Sequence, residues 1–290
     1  MMDEDFTFKS AQTLDLLIAG AKYLEQRGVA AARVEADLIL SHVLGVSRAQ
    51  LYLQREEDVA AEKIRQYTEL LVRRGDREPL AYLFKTREFM GLDFYVDQRV
   101  LIPRPETELL VEKILEIGKN NFSGEQIRVL DLGTGSGAIA ISLAYYWPEV
   151  SLTAVDISAG ALAVAQENAR RHKVKLDLRQ GDLFQPVSGE KFAVIASNPP
   201  YVSPEEYSLC SPEVKKEPTL ALLGGSDGLD YYRCLALQAR EHLLPGGFII
   251  MEIGQAQGLK VRELFRAEGF ETSIFLDYAG LDRIVLAKKE

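Results

Sequence analysis

The chain has 290 residues, of which 47% are hydrophobic and 27% are charged, and its formal net charge at pH 7 is −9. This length and composition are typical of a globular protein with about two domains of ~150 residues each. The acidic balance argues against a partner that is bound mainly through its phosphates, because such proteins usually present a basic face.

The cysteines, histidines and apolar runs argue against further classes. The two cysteines and three histidines are scattered without the spacing of metal ligands, so no metal site is predicted and both thiols are expected to be reduced. No apolar run approaches the ~20 residues of a bilayer span, and the N-terminus lacks a signal peptide's order of basic, apolar and small residues. We therefore expect a cytoplasmic protein with no membrane partner.

Residues 1–85 are predicted to form a helical domain. Three segments carry apolar residues at helical spacing, and Gly28, Gly45 and Gly75 end them. The apolar positions are Leu14, Leu17, Ile18 and Ala21, then Ala36, Ile39, Leu40, Val43 and Leu44, and finally Ile64, Tyr67 and Leu71. Residues 1–88 contain 13 Lys and Arg against 15 Asp and Glu, so this domain is not predicted to be a basic clamp for nucleic acid.

Residues 86–107 are predicted to form a hairpin linker. The stretch "EFMGLDFYVDQRVLIPRPETE" alternates apolar and polar residues around Asp97–Gln98, as the two strands of a hairpin do. A turn that contains Pro103 and Pro105 then ends the linker.

From residue 108 to 290, predicted strands alternate with predicted helices. The strands are "IRVLDLG", "SLTAVDIS", "KLDLRQGDLF", "FAVIASNPPY" and "GGFIIMEIG", and helices such as "GAIAISLAYYW" and "AGALAVAQENARRH" lie between them. This alternation predicts an α/β fold, in which helices cover both faces of a parallel sheet. Ligands of such sheets bind beyond the carboxyl ends of the strands.

The glycine-rich stretch "VLDLGTGSGAIAIS" lies at a predicted turn from a strand to a helix. The turn fits a site for S-adenosylmethionine, and it also fits the looser fingerprint of dinucleotide sites. Its candidate cofactor contacts are Gly133, Thr134, Gly135, Ser136 and Gly137.

Acidic residues near this turn favour S-adenosylmethionine, which carries a sulfonium and an ammonium but no phosphate. Asp156 ends the next strand and suits the ribose of either cofactor. Asp131 precedes the turn, where a carboxylate is expected to repel a pyrophosphate and to favour a cation. Asp182 offers an acceptor for the adenine amino group, and Leu183 is expected to pack on the adenine ring.

The stretch "VIASNPPYV" ends an apolar strand on two prolines, which lack N–H groups and do not continue a central strand. The segment therefore offers carbonyl acceptors, and Asn198 adds its side-chain oxygen. These acceptors are complementary to a planar –NH2 group, and Tyr201 is predicted to provide a flat face for stacking. We therefore predict that Asn198, Pro199, Pro200 and Tyr201 hold a conjugated amino group beside a methyl donor.

"NPPY" is shared by methyltransferases that act on amines of DNA bases, on guanine in ribosomal RNA and on glutamine amides. With "EFMGLDFYVDQRVLIPRPETE", "VLDLGTGSGAIAISLA", "KKEPTLALLGGSDGLDYY", "LLPGGFIIMEIG" and "GLDRIV", the chain resembles the bacterial glutamine methyltransferases that modify peptide chain release factors. The resemblance covers residues 80–290 strongly and the helical N-terminus loosely.

This resemblance implies a class I S-adenosylmethionine-dependent methyltransferase. It implies a Rossmann-like seven-stranded sheet in residues 108–290, joined through the linker to an N-terminal helical bundle that recognises the substrate. The implied substrate is the glutamine of the release factors' Gly-Gly-Gln loop.

By position, the resemblance assigns the cofactor to residues 133–137, Asp156, Asp182, Leu183 and Asn198. It assigns the glutamine amide to residues 198–201. Leu183 departs from the family pattern, because some relatives have a tryptophan there, so packing on adenine would be aliphatic.

The sequence leaves the roles of some residues open. The proline-rich segment "IPRPETE" is expected to form a wall of the active site, and Arg104 and Glu106 within it are either structural or in contact with substrate. Glu252 ends a strand and is interpreted as a buried structural carboxylate with no catalytic role.

Two rival functions remain. A nucleic-acid amine methyltransferase would need a basic and aromatic recognition surface, which the helical domain does not provide, so nucleic acid is not an expected partner. A non-catalytic protein that only binds the cofactor would not need an intact NPPY segment.

Overall fold

The computed structural model describes residues 8–122 and 127–289. The chain divides into two compact units. Unit 1 comprises Met1–Lys85 and Pro212–Lys216, and unit 2 comprises Thr86–Ser211 and Glu217–Glu290. Of the helices in the described ranges, none combines the length and apolar character that crossing a bilayer requires.

Unit 1 is helical, and the three predicted helices are present. Its helices are α1 (Thr13–Gln26), α2 (Ala32–Leu44), α3 (Arg48–Leu53), α4 (Ala61–Gly75) and α5 (Leu80–Phe84). The periodicity did not predict α3 and α5, because helices of six and five residues are too short to show a repeat. In α1 the core-facing residues include Leu16 and Leu24, whereas Ile18 is 59% exposed.

A partly buried ion-pair network links residues 212–216 to the helices of unit 1. The guanidinium of Arg74 donates to Glu35 and, at 2.8 Å, to Glu213. Arg77 also donates to both carboxylate oxygens of Glu213. Burial of Glu213 opposes its ionisation, but the two guanidinium groups lower its pKa to about 2.

The hairpin of the linker turns at a different place from the predicted one. Strands β1 (Arg87–Phe89) and β2 (Leu92–Phe94) pair antiparallel around Met90 and Gly91, so the prediction of a turn at Asp97–Gln98 was wrong. Met90 and Gly91 both have positive φ, of 52° and 68°, as a two-residue hairpin turn requires. Asp97 instead shapes the following loop, where its carboxylate accepts hydrogen bonds from Tyr95 and Arg99.

Unit 2 contains a sheet that has seven strands within residues 127–289, as predicted. The strands are β3 (Ile127–Leu132), β4 (Val150–Asp156), β5 (Asp177–Gln180), β6 (Phe192–Ser197), β7 (Leu243–Glu252), β8 (Glu271–Leu276) and β9 (Asp282–Lys288). Their order is β5-β4-β3-β6-β7-β9-β8. Only the two pairings of β9 within this range are antiparallel.

The helices of unit 2 cover both faces of the sheet. They are α6 (Glu106–Asn121), α7 (Ala138–Tyr146), α8 (Ala159–His172), α9 (Pro204–Leu209), α10 (Asp230–His242) and α11 (Gly258–Ala267). Successive strand residues point to opposite faces. Val129 and Val194 therefore pack with α6 and α7, whereas Leu130 and Ile195 pack with α10 and α11.

The strand order places a crevice beside β3. The chain leaves β3 toward β4 and β5 on one side, and returns to pair β6 on the other. This reversal is the topological switch point, where open α/β sheets bind ligands at the carboxyl ends of their strands.

Candidate active site

One pocket of unit 2 lies at the carboxyl ends of β3, β4 and β6. It brings together residues that the sequence assigned to the cofactor and residues that it assigned to the amino group. The lining comprises Arg99–Leu101, Leu132, Gly133, Gly135, Val155–Ser158, Ala161, Gly181–Leu183, Ser197–Pro200, Pro218, Leu220, Ala221 and Tyr231.

The glycine turn is held by backbone hydrogen bonds to the neighbouring strand. The N–H groups of Gly133 and Thr134 both donate to the Val155 carbonyl, at 2.9 and 3.0 Å. Gly135 has a φ of +56°, and no atom lies within 4 Å of the position that a Cβ would take. Glycine therefore permits this left-handed turn, and its missing side chain leaves the backbone open to a ligand.

Asp156 braces the same turn from the end of β4. Its Oδ2 accepts the Gly135 N–H and its Oδ1 accepts the Ser158 N–H, both at 2.8 Å. Burial raises the pKa of Asp156, while the two N–H donors lower it. Each carboxylate oxygen keeps a second lone pair with which it can accept a ligand hydroxyl.

Asp182 and Leu183 follow β5 on another side of the pocket. The Asp182 side chain is exposed, and Leu183 is half-buried with a φ of +45°. Leu183 packs against the apolar core on one face of the sheet. Its aliphatic side chain and the adjacent carboxylate both line the pocket.

Asp131, which was predicted to favour a cationic ligand through its charge, is not among the residues that line the pocket. The residue is fully buried, and its Oδ2 accepts the Thr134 hydroxyl at 2.6 Å. Burial raises the pKa of Asp131 to about 7, which the Thr134 hydroxyl only partly opposes.

Thr134, Ser136 and Gly137 also lie outside the lining, although all three were predicted cofactor contacts. Thr134 and Ser136 are buried, and the Ser136 carbonyl accepts a hydrogen bond from Asn168 of α8 at 2.9 Å. Gly137 lies immediately before α7 and has a φ of +82°. A Cβ at this position would lie only 2.8 Å from Ile141 Cδ1. Thr134, Ser136 and Gly137 therefore contribute to the shape of the turn without lining the pocket.

The segment after β6 lines the pocket through Asn198, Pro199 and Pro200. The Asn198 Nδ2 donates to Thr107 Oγ1 at 3.1 Å, and the Thr107 hydroxyl donates to Glu252 Oε2 at 2.5 Å. Glu252 is buried and does not line the pocket, in agreement with its interpretation as a structural carboxylate.

Tyr201, the predicted stacking face, is not among the residues that line the pocket, and its half-buried ring packs against the core on one face of the sheet. Its hydroxyl donates to Glu252 Oε1 at 3.3 Å. Tyr201 turns inward because burial of the ring removes apolar surface from water while the carboxylate satisfies the hydroxyl.

The charges of the lining fit S-adenosylmethionine better than a dinucleotide. Arg99 is the only Lys or Arg among the described residues of the lining, and its guanidinium is bound to Asp97 at 2.6 Å. A pyrophosphate would therefore lack a free basic partner. The carboxylates of Asp156 and Asp182 suit hydroxyl, amino and cationic groups.

Comparisons with known proteins agree with this geometry. The family profile described as "PrmC N-terminal domain" matches residues 15–84, and the profile "Methyltransferase small domain" matches residues 105–212. The release factor glutamine methyltransferase of Geobacter sulfurreducens is 42% identical over 265 residues, which cover 91% of this chain and 92% of that protein. The chain belongs to the release factor glutamine methyltransferase family.

Other relatives with the same name show a similar match. The protein of Moorella thermoacetica is 42% identical over 264 residues, 90% of this chain and 92% of its own. The protein of Aquifex aeolicus is 38% identical over 259 residues, 89% of this chain and 91% of its own.

Solved structures show the fold at lower identity. A methyltransferase from Pyrococcus furiosus has a TM-score of 0.53 at 21% identity, over 69% of this chain and 90% of that chain. The T. thermophilus 16S rRNA N2 G1207 methyltransferase, solved with AdoMet and guanosine, has a TM-score of 0.52 at 21% identity, over 71% of this chain and 50% of that chain. With the strand order, these likenesses confirm the predicted class I, Rossmann-like methyltransferase fold.

The proline-rich family segment does not form the predicted wall. The lining contains Arg99–Leu101 rather than the residues of "IPRPETE". Arg104 donates to Glu217 Oε1 at 2.6 Å, and the Ile102 N–H donates to Glu217 Oε2 at 3.0 Å. Arg104 thus has a structural role, and Glu106 begins α6, where its charge favours the helix N-terminus.

Sequence reasoning missed several residues that shape the site. Leu220 and Tyr231 line the pocket, and Gln257 Nε2 donates to the Tyr201 carbonyl at 3.0 Å. A Cβ on Gly228 would lie 2.3 Å from that carbonyl, so glycine lets this loop pack against the NPPY backbone. The stretch "KKEPTLALLGGSDGLDYY" contains three of these residues, and the glycines within it were the available signal.

We predict that Asp131 makes stability fall as the pH rises from about 4 to about 7. The folded pKa of about 7 exceeds the ~3.9 expected in the unfolded chain, so between these values the folded state retains a proton that the unfolded state loses. Relative to native protein, Asp131→Asn should therefore gain up to about 1.4 kcal/mol of unfolding free energy per pH unit between pH 5 and 7.

Urea unfolding at several pH values measures this difference, since Trp147 is the only tryptophan and is buried in unit 2. Asp97→Asn is the control. The native pKa of Asp97 is lowered to about 2, so this carboxyl is ionised in both states above pH 5 and its substitution should add no slope there. Parallel curves for native protein and Asp131→Asn would contradict the prediction.

Proposed function

We propose that the chain transfers a methyl group from S-adenosylmethionine to the side-chain amide nitrogen of the glutamine in the Gly-Gly-Gln motif of peptide chain release factors. The observation that carries this proposal is one pocket whose lining joins the glycine turn and Asp156 to Asn198, Pro199 and Pro200. Membership of the family, at 42% identity over 91% of the chain, supports the choice of substrate. A cytoplasmic location would follow from a role in translation.

Each proposed cofactor residue would contact the part of S-adenosylmethionine that matches its chemistry. Asp156 would accept hydrogen bonds from the ribose hydroxyls, Asp182 would accept from the adenine amino group, and Leu183 would pack on the adenine ring. Gly133 and Gly135 would let the backbone approach the ligand. When bound, S-adenosylmethionine would supply an electrophilic methyl group. As the amide nitrogen bonds to this carbon, the methyl–sulfur bond would break, S-adenosylhomocysteine would leave with the bonding pair, and one amide proton would pass to solvent.

The proposed role of Asn198 and Pro199 is to orient the substrate amide. The Asn198 Oδ1 and the Pro199 carbonyl would each accept one of the two amide N–H groups. An amide nitrogen is a weak nucleophile, so a fixed orientation and acceptors for the developing positive charge must supply much of the rate. Pro199 and Pro200 lack N–H groups and therefore place no competing donor there.

Methyl transfer to different acceptors tests the proposed function. Purified protein with methyl-labelled S-adenosylmethionine should label a release factor, but not a release factor in which the motif glutamine is replaced by alanine. Duplex DNA and ribosomal RNA serve as competing acceptors, because a base amine also presents a planar –NH2 group. Label on nucleic acid and none on release factor would overturn the proposal.

We predict that Asn198→Ala lowers kcat roughly 10²- to 10³-fold, because it removes one preorganised acceptor. Asn198→Asp keeps an acceptor oxygen and should retain more activity than Asn198→Ala. Single-turnover methylation of release factor measures both, and thermal melting checks that each variant is folded. An Asn198→Ala rate near that of the native protein would show that this segment is only a strand end.

We further propose that the helical domain, residues 1–85, recognises the release factor, with residues 86–107 as linker and 108–290 as catalytic domain. Exposed apolar side chains on the helices of unit 1 support this role, since such residues anchor protein interfaces. They include Ile18 at 59% exposure, Val34 at 43% and Leu53 at 85%.

Ile18→Glu should accordingly raise the KM for release factor about 10-fold, a typical effect of losing one interface anchor. The kcat and the affinity for S-adenosylmethionine should not change, because Ile18 lies outside the pocket lining of unit 2. Leu237→Glu is the matched control, since Leu237 is 66% exposed on α10 of unit 2. Equal KM values for Ile18→Glu and Leu237→Glu would contradict the assignment.

A further inference from the structure

Two buried residues lie behind Asn198 and outside the pocket lining. Thr107 is the second residue of α6 and Glu252 is the last residue of β7, and they are 4% and 1% exposed. The Asn198 Nδ2 donates to Thr107 Oγ1 at 3.1 Å, and Thr107 Oγ1 donates to Glu252 Oε2 at 2.5 Å. The three residues thus form a hydrogen-bonded chain that ends at the pocket.

The hydrogen-bonded chain of Asn198, Thr107 and Glu252 has a direction because a hydroxyl carries only one proton. Thr107 gives that proton to Glu252, so only its lone pairs face Asn198. The Asn198 amide must then turn its –NH2 group toward Thr107. The reverse orientation would place two oxygen lone pairs against each other with no proton between them.

The carboxyl at the end of the chain is held as an acceptor. Its Oε1 accepts the Tyr201 hydroxyl at 3.3 Å, and the Glu252 backbone carbonyl accepts the Tyr232 hydroxyl at 2.8 Å. Burial raises the pKa of Glu252, and the Thr107 hydroxyl, the charge of Arg283 and the Tyr201 hydroxyl only partly oppose this rise. The geometry nevertheless makes the carboxyl group an acceptor, because the hydroxyls of Thr107 and Tyr201 both donate to it.

An oriented amide presents its oxygen on the side away from Thr107. Asn198 lines the pocket, and among the described residues no hydrogen bond is made to its amide oxygen. A freely rotating asparagine would instead offer –NH2 to the pocket in part of the population, which would oppose a substrate –NH2 group.

We propose that Thr107 and Glu252 are positioning residues that fix the Asn198 amide with its oxygen toward the substrate. This inference rests on the proposed role of Asn198 in methyl transfer. It gives a function to a threonine of the proline-rich segment and to a buried glutamate, neither of which touches the pocket.

A double-mutant cycle tests the inference with the full chain and a release factor. Thr107→Val keeps the shape of the side chain and removes the hydroxyl, so the single-turnover rate should fall about 10-fold. Thr107→Ser should keep the rate within about threefold of native. In the Asn198→Ala background, Thr107→Val should change the rate less than twofold, because the amide that it orients is gone.

The same cycle with Glu252→Gln tests the carboxylate. A glutamine –NH2 can donate to Thr107, which frees the hydroxyl proton to approach the Asn198 oxygen and reverses the chain. The rate should fall in the native background and stay constant in the Asn198→Ala background. Equal losses in both backgrounds, or a native rate for Thr107→Val, would overturn the inference and leave only a structural role.

Side-chain amide hydrogen exchange provides a readout that needs no methyl transfer. In ¹⁵N-labelled protein, the Asn198 –NH2 signals, identified by their loss in Asn198→Asp, should exchange at least 10-fold more slowly in the native protein than in Thr107→Val. Unchanged exchange would overturn the orientation even in an active enzyme. Slow exchange in a protein that does not label release factor would instead place the failure in the proposed function.

Discussion

The parallel pairing of β3 with both β4 and β6 is the constraint on which the site depends. Leu132, the last residue of β3, pairs with Val155 of β4 and with Ser197 of β6. The next residues along the three strands are Gly133, Asp156 and Asn198. Because parallel strands share one direction, this register brings the proposed cofactor and substrate groups to a single edge. A shift of one residue in either pairing would separate them.

Buried carboxyl groups stabilise three sides of the pocket from behind. Asp131 binds the hydroxyl of Thr134 beneath the glycine turn, and Glu252 binds the hydroxyl of Thr107 behind Asn198. Glu217 accepts hydrogen bonds from the Ile102 N–H and from Arg104, next to the wall formed by residues 99–101. Hydrogen bonds to a buried carboxyl offset part of the cost of its burial, and each such bond fixes the group that donates to it. The backbone and side chains around the pocket are therefore held in fixed positions.

Rigid walls suit a reaction that depends on orientation. The turns around the pocket are held mainly by backbone hydrogen bonds, such as those of Gly133 and Thr134 to the Val155 carbonyl. The NPPY segment is held in the same way, since the Val202 N–H donates to the Leu222 carbonyl and Gln257 binds the Tyr201 carbonyl. As a result, few rotamers are accessible to side chains at the pocket surface, including Asn198. Much of the entropy of ordering is lost on folding rather than on binding.

The sequence by itself determined the α/β class, the three longer helices of unit 1 and the positions where strands end in functional residues, because local periodicity and turn chemistry encode them. It also indicated Asp156, Asp182, Leu183 and Asn198, which the structure brings together in the lining of one pocket. Only the tertiary structure decided which polar side chains face that pocket. Asp131 and Tyr201 have the chemistry of site residues, yet both turn inward to partners that are distant in the chain or hidden beneath a turn. Thr107 meets Asn198 across a separation of 91 residues and Glu252 across one of 145 residues, and no local pattern encodes such contacts, since the packing of α6 against the sheet creates them.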